Sequence, residues 1–346
     1  MIKPWIFEFL HAPPAEGGEV AARIAKAVFD KGLALWKRLD ALDFEGIFFS
    51  EHHFGISYSP SPNLLIATIA RSTERLRLGT MGVVLPMYQP WRVLEEIGML
   101  DHLTGGRLEI GCASGVPQEL IQTGIGPDEN RERYNETLQI LDAWLAEPVI
   151  SHHGRYYKFD NLRIVPRPLQ QPAPPKWTTV VSTASAIKSA ERQSKICTAF
   201  QSIARIKEIF DAYRAEAARL GFACGPDHLG IRRNVSIAPS EAEAQERSQM
   251  AREATTKVLA GDPRVRHQSA SIVDAPRSDA GFSVHADEFI AGTPTQVAEK
   301  IITQCRSCGA GHFVAILGRA VDSERVQSVE LFGEHVIPIL RRAQIA

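Results

Sequence analysis

The feature that most constrains the fold is a series of short apolar runs separated by helical patterns. Each run is bounded by turn residues and is five to ten residues long, which is typical of buried strands. Eight strands are predicted, at residues 2–10, 46–50, 76–85, 107–112, 177–181, 195–200, 229–238 and 312–317. Because helices separate them, the strands should be parallel. The alternation therefore predicts an α/β fold, the (β/α)8 TIM barrel.

Two stretches depart from the repeat. Residues 150–175 predict a hairpin and a proline-rich connector, inserted after the fourth strand. Residues 261–286, after the seventh strand, have no clear period and are rich in Ser, Asp and Arg. A loop of that length in a compact domain is usually a lid or disordered. We therefore expect one barrel domain over residues 1–346, with a mobile lid at residues 261–286 over the barrel mouth.

Composition gives no support to several classes of function. The 39 basic and 40 acidic residues nearly cancel, so neither nucleic acid nor a membrane surface is an expected partner. No apolar run approaches the length of about 18 residues that a membrane span needs. The N-terminal residues lack a cleavage pattern, so no signal peptide is expected. Five cysteines make a disulfide framework improbable, and we expect a cytoplasmic protein.

Titratable residues follow the second predicted strand, at the barrel end where ligands bind. Glu51, His52 and His53 can form a polar strand end, a metal site or an acid–base group. Successive strand residues point to opposite faces, so the two histidines cannot easily share one ion, and no metal is expected. Histidine titrates near neutral pH, and Glu51 could orient an imidazole or set its charge. Strand parity pairs Ser50 with His52, but it does not identify the inward face.

Four motifs follow one another from this point. They are Glu51-His52-His53-Phe54, the segment GTMGVVLP at residues 79–86, Pro-x-Arg-x-x-Glu-Glu at residues 90–96 and Leu-Asp-x-Leu-x-x-Gly-Arg at residues 100–107. In this order they resemble the bacterial-luciferase-like flavin monooxygenases, and later matches extend over nearly the whole chain. The resemblance implies reduced FMN (FMNH2) as cofactor and O2 as co-substrate. A C4a-peroxyflavin would oxygenate a small apolar or aromatic substrate, by Baeyer–Villiger reaction, hydroxylation or epoxidation.

The resemblance also implies partners. In the family a separate NAD(P)H:flavin reductase supplies the reduced FMN, and the resemblance implies the same here. The lack of a Gly-x-Gly-x-x-Gly motif after any predicted strand agrees with this. By analogy with the family, we expect a homodimer formed through the helices beside strands two and three. Two alternatives stay open, namely an oxidoreductase dependent on the deazaflavin F420 on the same barrel, and a non-catalytic partner subunit. The presence of His52 argues against the second alternative.

Site residues are carried over at matching positions only. His52 would face the flavin and handle a proton, with Glu51 beside it. The Met81-Gly82 peptide is predicted to be cis and to lie against the flavin ring. The phosphate contacts carried over from the family are Arg131, Ser182 and Ser185. We also expect an apolar substrate pocket with Phe7, Phe54 and Tyr58 as its walls.

Two further positions beside the flavin differ from those of light-emitting relatives. Ala113 stands where those relatives have a reactive cysteine, and Ser114 stands where they have a phosphate-binding arginine. Cys112 should point away from the flavin face. The Ser114 difference weakens the carry-over of the phosphate site, and both differences argue against light emission.

Overall fold

The protein is described by a computed structural model covering residues 1–11, 19–54, 57–260, 284–318 and 322–345. Most of the predicted lid, at residues 261–283, lies outside the described residues. None of the described helices is long and apolar enough to cross a membrane.

A closed parallel barrel forms the centre of the described structure. Its strands pair in the order β1–β2–β3–β5–β8–β9–β10–β12 and back to β1, which confirms the predicted (β/α)8 barrel. The described strands are β1 Lys3–Glu8, β2 Gly46–Phe49, β3 Arg77–Thr80, β4 Val83–Val84, β5 Leu108–Ala113, β6 Ile150–His153, β7 Lys158–Leu162, β8 Lys176–Thr179, β9 Lys195–Thr198, β10 Leu229–Ile237, β11 Phe289–Gly292 and β12 His312–Ile316.

The third predicted strand is divided into β3 and β4 by Met81-Gly82. The peptide bond between these residues is cis, as predicted. The chain passes very close to β5 here, since a Cβ on Gly82 would lie 2.7 Å from the backbone of Cys112. A Cβ on Gly111 would lie only 1.8 Å from the carbonyl oxygen of Thr80. Glycine is therefore required on both sides of this contact.

The insertion after the fourth barrel strand contains the predicted hairpin, in which β6 and β7 pair antiparallel. β11 was not predicted. It is four residues long and pairs parallel with the end of β10 outside the closed ring. A short helix after β5, Pro117–Thr123, was also missed.

Helices surround the barrel, and several begin with proline in the first turn. The fixed φ of proline favours that position. The described helices are Glu19–Ala41, Pro62–Ala70, Pro90–Leu103, Pro117–Thr123, Pro127–Ala146, Thr183–Glu191, Ile203–Leu220, Glu241–Ala260, Pro294–Cys308, Ser323–Leu331 and Ile337–Arg342. The last two helices, Ser323–Leu331 and Ile337–Arg342, are joined by a π-helical turn at Phe332–Val336.

Apolar side chains pack on both faces of the barrel wall, because residues alternate between the two faces along each strand. The larger cluster fills the space between strands and helices. A smaller cluster fills the barrel interior and consists of Trp5, Phe7, Phe48, Trp177, Cys197, Val314 and Ile316, with Phe9 and Met81 packed against it.

The end of β1 is held by a buried ion pair. Glu8 points outward and is fully buried, and it accepts hydrogen bonds from Arg325 Nη2 at 2.8 Å and Nη1 at 3.1 Å. Trp36 Nε1 donates to the same carboxylate at 2.6 Å. Such a pair leaves neither charge without a partner, which is the condition for burying it. It fixes the strand that leads to the barrel mouth.

The opposite end of the barrel is closed by His312. Its Nδ1 accepts a hydrogen bond from Trp5 Nε1 at 2.9 Å, and its Nε2 donates to the carbonyl oxygen of Asp227 at 3.1 Å. Burial holds the pKa of His312 well below its usual range. The imidazole is therefore neutral in the folded protein.

Candidate active site at the barrel mouth

His52 lies just beyond the end of β2, with its ring held on several sides. Phe9 stacks on it, with ring centroids 4.9 Å apart and ring planes 5° from parallel. Its Nδ1 lies 2.9 Å from Glu119 Oε1. A carboxylate can only accept, so Nδ1 carries the proton and Nε2 is the basic nitrogen. Within the described part of the chain, Nε2 makes no hydrogen bond, and it can exchange a proton with a molecule in the mouth.

Glu119 is the residue that the sequence analysis missed. It lies on the short helix Pro117–Thr123 and is only 3% exposed. Its second oxygen, Oε2, is buried and has no hydrogen-bond partner among the described residues. Glu119 and His52 are 67 positions apart. Only a proline at a helix start signalled this element, and nothing in the sequence signalled the pairing.

Among the described residues, no hydrogen bond joins the side chains of Glu51 and His52. The carboxylate of Glu51 accepts hydrogen bonds from His53 Nε2 at 3.0 Å, Tyr88 OH at 3.0 Å and the backbone N–H of Val84 at 3.1 Å. The hydrogen bond to Glu51 raises the pKa of His53 above its ordinary value, although burial opposes the change. Glu51 therefore ties the end of β2 to the segment after Met81-Gly82, and it acts on the second histidine of the motif.

The inner wall beside His52 is aromatic. Phe7 and Phe9 lie along β1 and just beyond it, with ring centroids 5.3 Å apart. Met81 packs against the same interior cluster as Phe7. The guanidinium of Arg232, on β10, lies 5.3 Å from the centroid of the Phe7 ring. An apolar wall with an imidazole at its edge is therefore present at the mouth.

The other predicted pocket residues lie elsewhere. Tyr58 packs in the outer layer, with its ring 6.0 Å from that of Phe29, so it is not part of the interior wall. Phe54 is 53% exposed and has a positive φ of 61°. Its ring lies 5.7 Å from that of His53. Only Phe7 of these three residues belongs to the interior cluster.

At the end of β5, the side chain of Cys112 points away from the barrel interior, as the sequence analysis expected. Ala113 ends the strand, and the exposed Ser114 follows it. Cys112 packs in the outer cluster between barrel and helices. Burial raises the pKa of its thiol to about 12, so the thiol is not a reactive group at neutral pH.

The predicted phosphate residues belong to two helices, Pro127–Ala146 and Thr183–Glu191 with its N-cap. Ser182 and Ser185 cap the helix Thr183–Glu191 reciprocally, each side chain bonding to the other's backbone N–H at 3.2 Å. Arg131 is exposed and paired with Asp128, and it makes no described hydrogen bond to either serine. Hydroxyl groups at a helix N-terminus suit a phosphate, and the aromatic wall suits a flavin ring. The chemical types of these residues therefore fit the phosphate and the ring of FMN.

Comparison with known proteins agrees with this geometry. A family model described as luciferase-like monooxygenase matches residues 7–312. Uncharacterized protein y4wF of Sinorhizobium fredii is 31% identical over 288 residues, covering 82% of each chain. FMNH2-dependent dimethylsulfone monooxygenase of Pseudomonas putida is 25% identical over 295 residues, covering 79% of this chain and 76% of the relative.

Solved structures share the fold. Monooxygenase RslO1 from Streptomyces bottropensis has a TM-score of 0.84 at 24% identity, covering 97% of this chain and 99% of its own. The oxygenating constituent of 3,6-diketocamphane monooxygenase from Pseudomonas putida, solved with FMN, has a TM-score of 0.79 at 22% identity and covers 98% of both chains. The coenzyme F420-dependent tetrahydromethanopterin reductase of Methanopyrus kandleri has a TM-score of 0.72 at 17% identity, covering 97% and 99%. At these identities the likeness concerns the fold alone. The barrel, the motifs and the match over residues 7–312 together establish that the chain belongs to the luciferase-like family of flavin-dependent monooxygenases.

Proposed function

We propose that the protein is the oxygenase component of a two-component monooxygenase. It uses reduced FMN, delivered by a separate NAD(P)H:flavin reductase, and O2 to oxygenate a small apolar or aromatic organic molecule. The relative from Pseudomonas putida, which matches most of the chain, is named as FMNH2-dependent. That name supports FMN over F420.

The observation that carries the proposal is the pair formed by His52 and Glu119. The Nδ1–H of His52 points to a buried carboxylate oxygen at 2.9 Å, and Phe9 fixes the plane of the ring. A negative carboxylate stabilises the imidazolium that forms when Nε2 takes up a proton. His52 is thus built to take up and return a proton at Nε2, while Glu119 is a positioning residue.

The remaining residues hold the site and keep it dry. Bound reduced FMN would supply the electrons that activate O2, since no side chain in the chain can do so. Phe7, Phe9 and Met81 present apolar surface at the mouth and exclude water from it. Ser182 and Ser185 would hold the phosphate with the N–H groups of their helix. Arg131 would join them by leaving Asp128.

Exposed apolar side chains support the homodimer. Four large ones lie on two neighbouring helices, Pro62–Ala70 and Pro90–Leu103, which are the helices expected at the interface. They are Leu64, 68% exposed, Trp91, 42%, Met99, 50%, and Leu103, 41%. An isologous contact between two copies would remove this surface from water.

Cofactor binding is the direct test. The purified chain is titrated under anaerobic conditions with photoreduced FMN and, separately, with reduced F420, and binding is followed by fluorescence. Each complex is then mixed with oxygenated buffer, and O2 uptake and hydrogen peroxide are recorded.

We expect saturable binding and O2 uptake with reduced FMN, and neither with NADH alone. Tight binding of F420 without binding of reduced FMN would establish the hydride-transfer alternative instead. Product formation by the single chain, with a reductase and a panel of aldehydes, cyclic ketones and aromatics, would distinguish a catalyst from a partner subunit. The absence of product over that panel, with O2 uptake also absent, would contradict the proposal.

A further inference from the structure

Arg232 is an arginine buried inside the barrel. It lies on β10 in register with Val314 of β12, which belongs to the interior cluster, and it is only 7% exposed. The next residue, Arg233, points to the other face of the strand and donates to Gln304 of a surrounding helix. Two adjacent arginines are thus buried on opposite sides of the barrel wall.

A single carboxylate lies near both guanidinium groups, and it already accepts hydrogen bonds from other donors. Glu288 is fully buried and accepts from Arg233 Nη1 at 3.1 Å, from Asn234 Nδ2 at 2.9 Å and from the N–H of Phe200 at 2.8 Å. Arg232 Nη2 lies 3.8 Å from Glu288, which is beyond hydrogen-bond distance. Two positive charges and one negative charge leave one excess positive charge at this place.

The donors of Arg232 are unused in the described structure. Arg233 donates to Gln304, Glu288 and the carbonyl of Gln201, whereas no hydrogen bond from the Arg232 guanidinium is found among residues 1–11, 19–54, 57–260, 284–318 and 322–345. Its flat face instead lies 4.5 Å from the Phe200 ring centroid and 5.3 Å from that of Phe7. Burying an arginine without hydrogen bonds is costly, so a bound anion would offset a large desolvation penalty.

The Arg232 guanidinium lies on the wall that leads to His52. Phe7, which Arg232 contacts, neighbours Phe9 at 5.3 Å, and Phe9 stacks on the His52 ring at 4.9 Å. A molecule lying along this wall would have an oxyanion at one end and the proton-exchanging nitrogen towards the other. The rings between them are suited to an apolar or aromatic body.

We propose that Arg232 binds an oxyanion of the organic substrate, and that the substrate is therefore an aromatic or apolar acid, with a carboxylate as the group that matches the planar guanidinium fork. This inference deepens the proposed function and depends on it for the identity of the ligand as a substrate. The negative charge of reduced flavin is the other source of an anion in the mouth, and the experiment distinguishes the two.

The test uses benzoate as probe and benzamide as its neutral counterpart. Binding of each to the wild-type protein and to Arg232→Met is measured by calorimetry, with and without reduced FMN under anaerobic conditions. Methionine keeps the length of the stem and buries well in place of an unpaired charge. Arg252→Met is the matched control, because Arg252 lies over the Phe289 ring at 4.4 Å but belongs to the helix Glu241–Ala260.

We expect benzoate to bind the wild-type protein at least about tenfold more tightly than benzamide. Arg232→Met should lose about 10- to 100-fold in benzoate affinity, as for a charged hydrogen-bond partner, while Arg252→Met should match the wild type. Arg232→Lys keeps the charge but not the fork, and it should lie between them. The wild-type preference for benzoate tests the site even if Arg232→Met does not fold.

Equal affinities for benzoate and benzamide, or unchanged benzoate affinity in Arg232→Met, would overturn the inference. So would a loss of affinity for reduced FMN in Arg232→Met with benzoate affinity unchanged, because the arginine would then serve the flavin. If the wild-type chain prefers benzoate but does not bind reduced FMN, the anion site stands and the proposed function fails.

Discussion

Replacing His52 by alanine is expected to affect both product formation and stability, for reasons that the structure separates. In the proposed mechanism the ring exchanges a proton through Nε2. It is also the hydrogen-bond partner of Glu119, whose other oxygen has no partner among the described residues. His52→Ala removes the proton carrier and leaves a buried carboxylate unpaired. Because His52 follows a strand end and does not lie in the core, the variant should still fold and bind flavin.

The two effects have different sizes. General acid–base groups typically contribute about 10²–10⁴-fold, so product yield should fall in that range and hydrogen peroxide should rise. That loss corresponds to roughly 3–5 kcal/mol of barrier. Leaving a buried acceptor unsatisfied costs about 1–3 kcal/mol. For a chain of this size each kcal/mol lowers the melting temperature by about 2 °C.

Glu119→Gln separates the two contributions. It keeps the size of the side chain but removes its charge, so the pH profile of product yield should move, whereas a purely structural role would leave the profile in place. In the double variant His52→Ala with Glu119→Gln, no buried charge is left without a partner. Part of the stability lost by His52→Ala should therefore be recovered, and the two changes should not be additive.

His53→Ala is the matched control. It removes a histidine bonded to Glu51 at 3.0 Å, so it should lower the melting temperature and change product yield less. Product, peroxide and melting temperature are measured for all variants side by side. If His52→Ala and His53→Ala lose stability alike and neither raises peroxide at the expense of product, the assignment of proton transfer to His52 is wrong.

Three further predictions concern stability and assembly. His312 is neutral in the folded protein and its pKa is depressed, so its contribution to stability is present above about pH 6.5 and is lost as the pH falls below that value. The loss is up to about 1.4 kcal/mol per pH unit. Urea unfolding between pH 5 and 7.5 should show this slope, and His312→Gln should reduce it. Arg325→Met leaves the buried carboxylate of Glu8 unpaired and should cost about 3–5 kcal/mol in urea unfolding, and adding Glu8→Gln should restore part of that loss. Sedimentation at micromolar concentration should show a dimer that Leu64→Glu with Met99→Glu converts to monomer, and a monomeric wild type would reject the interface.

The barrel could be predicted from the sequence because each strand carries its own apolar run and turn residues. Elements without a sufficient local signal were missed. The helix Pro117–Thr123 has only seven residues, which is too few to show a helical period, and β11 has four residues beside the aperiodic stretch. The division of the third strand at Met81-Gly82 depends on the close approach of β5, which no local pattern records.

The site was predictable only in part, for a similar reason. The family motif implied that His52 faces the flavin, since strand parity alone left the inward face open, but its partner Glu119 comes from a separate helix, Pro117–Thr123. Tyr58 lies beyond the end of β2, so the alternation along that strand does not set its side-chain direction, and it packs on Phe29. That the Arg232 donors have no described hydrogen-bond partner depends on how Glu288 divides its hydrogen bonds, which is a property of the tertiary structure.

The alternation along β1 has a consequence for engineering. Phe7 faces the mouth, whereas Glu8 faces the shell and is clamped by Arg325. Phe7, on the proposed substrate surface, and Glu8, which anchors the strand, are therefore neighbours on β1 that point to opposite faces. Libraries that vary Phe7 and Phe9 should reshape the chamber without loosening the strand, so changes in substrate range can be selected from variants that still fold. Variants at Glu8 should instead be unstable, because they lose the buried ion pair with Arg325.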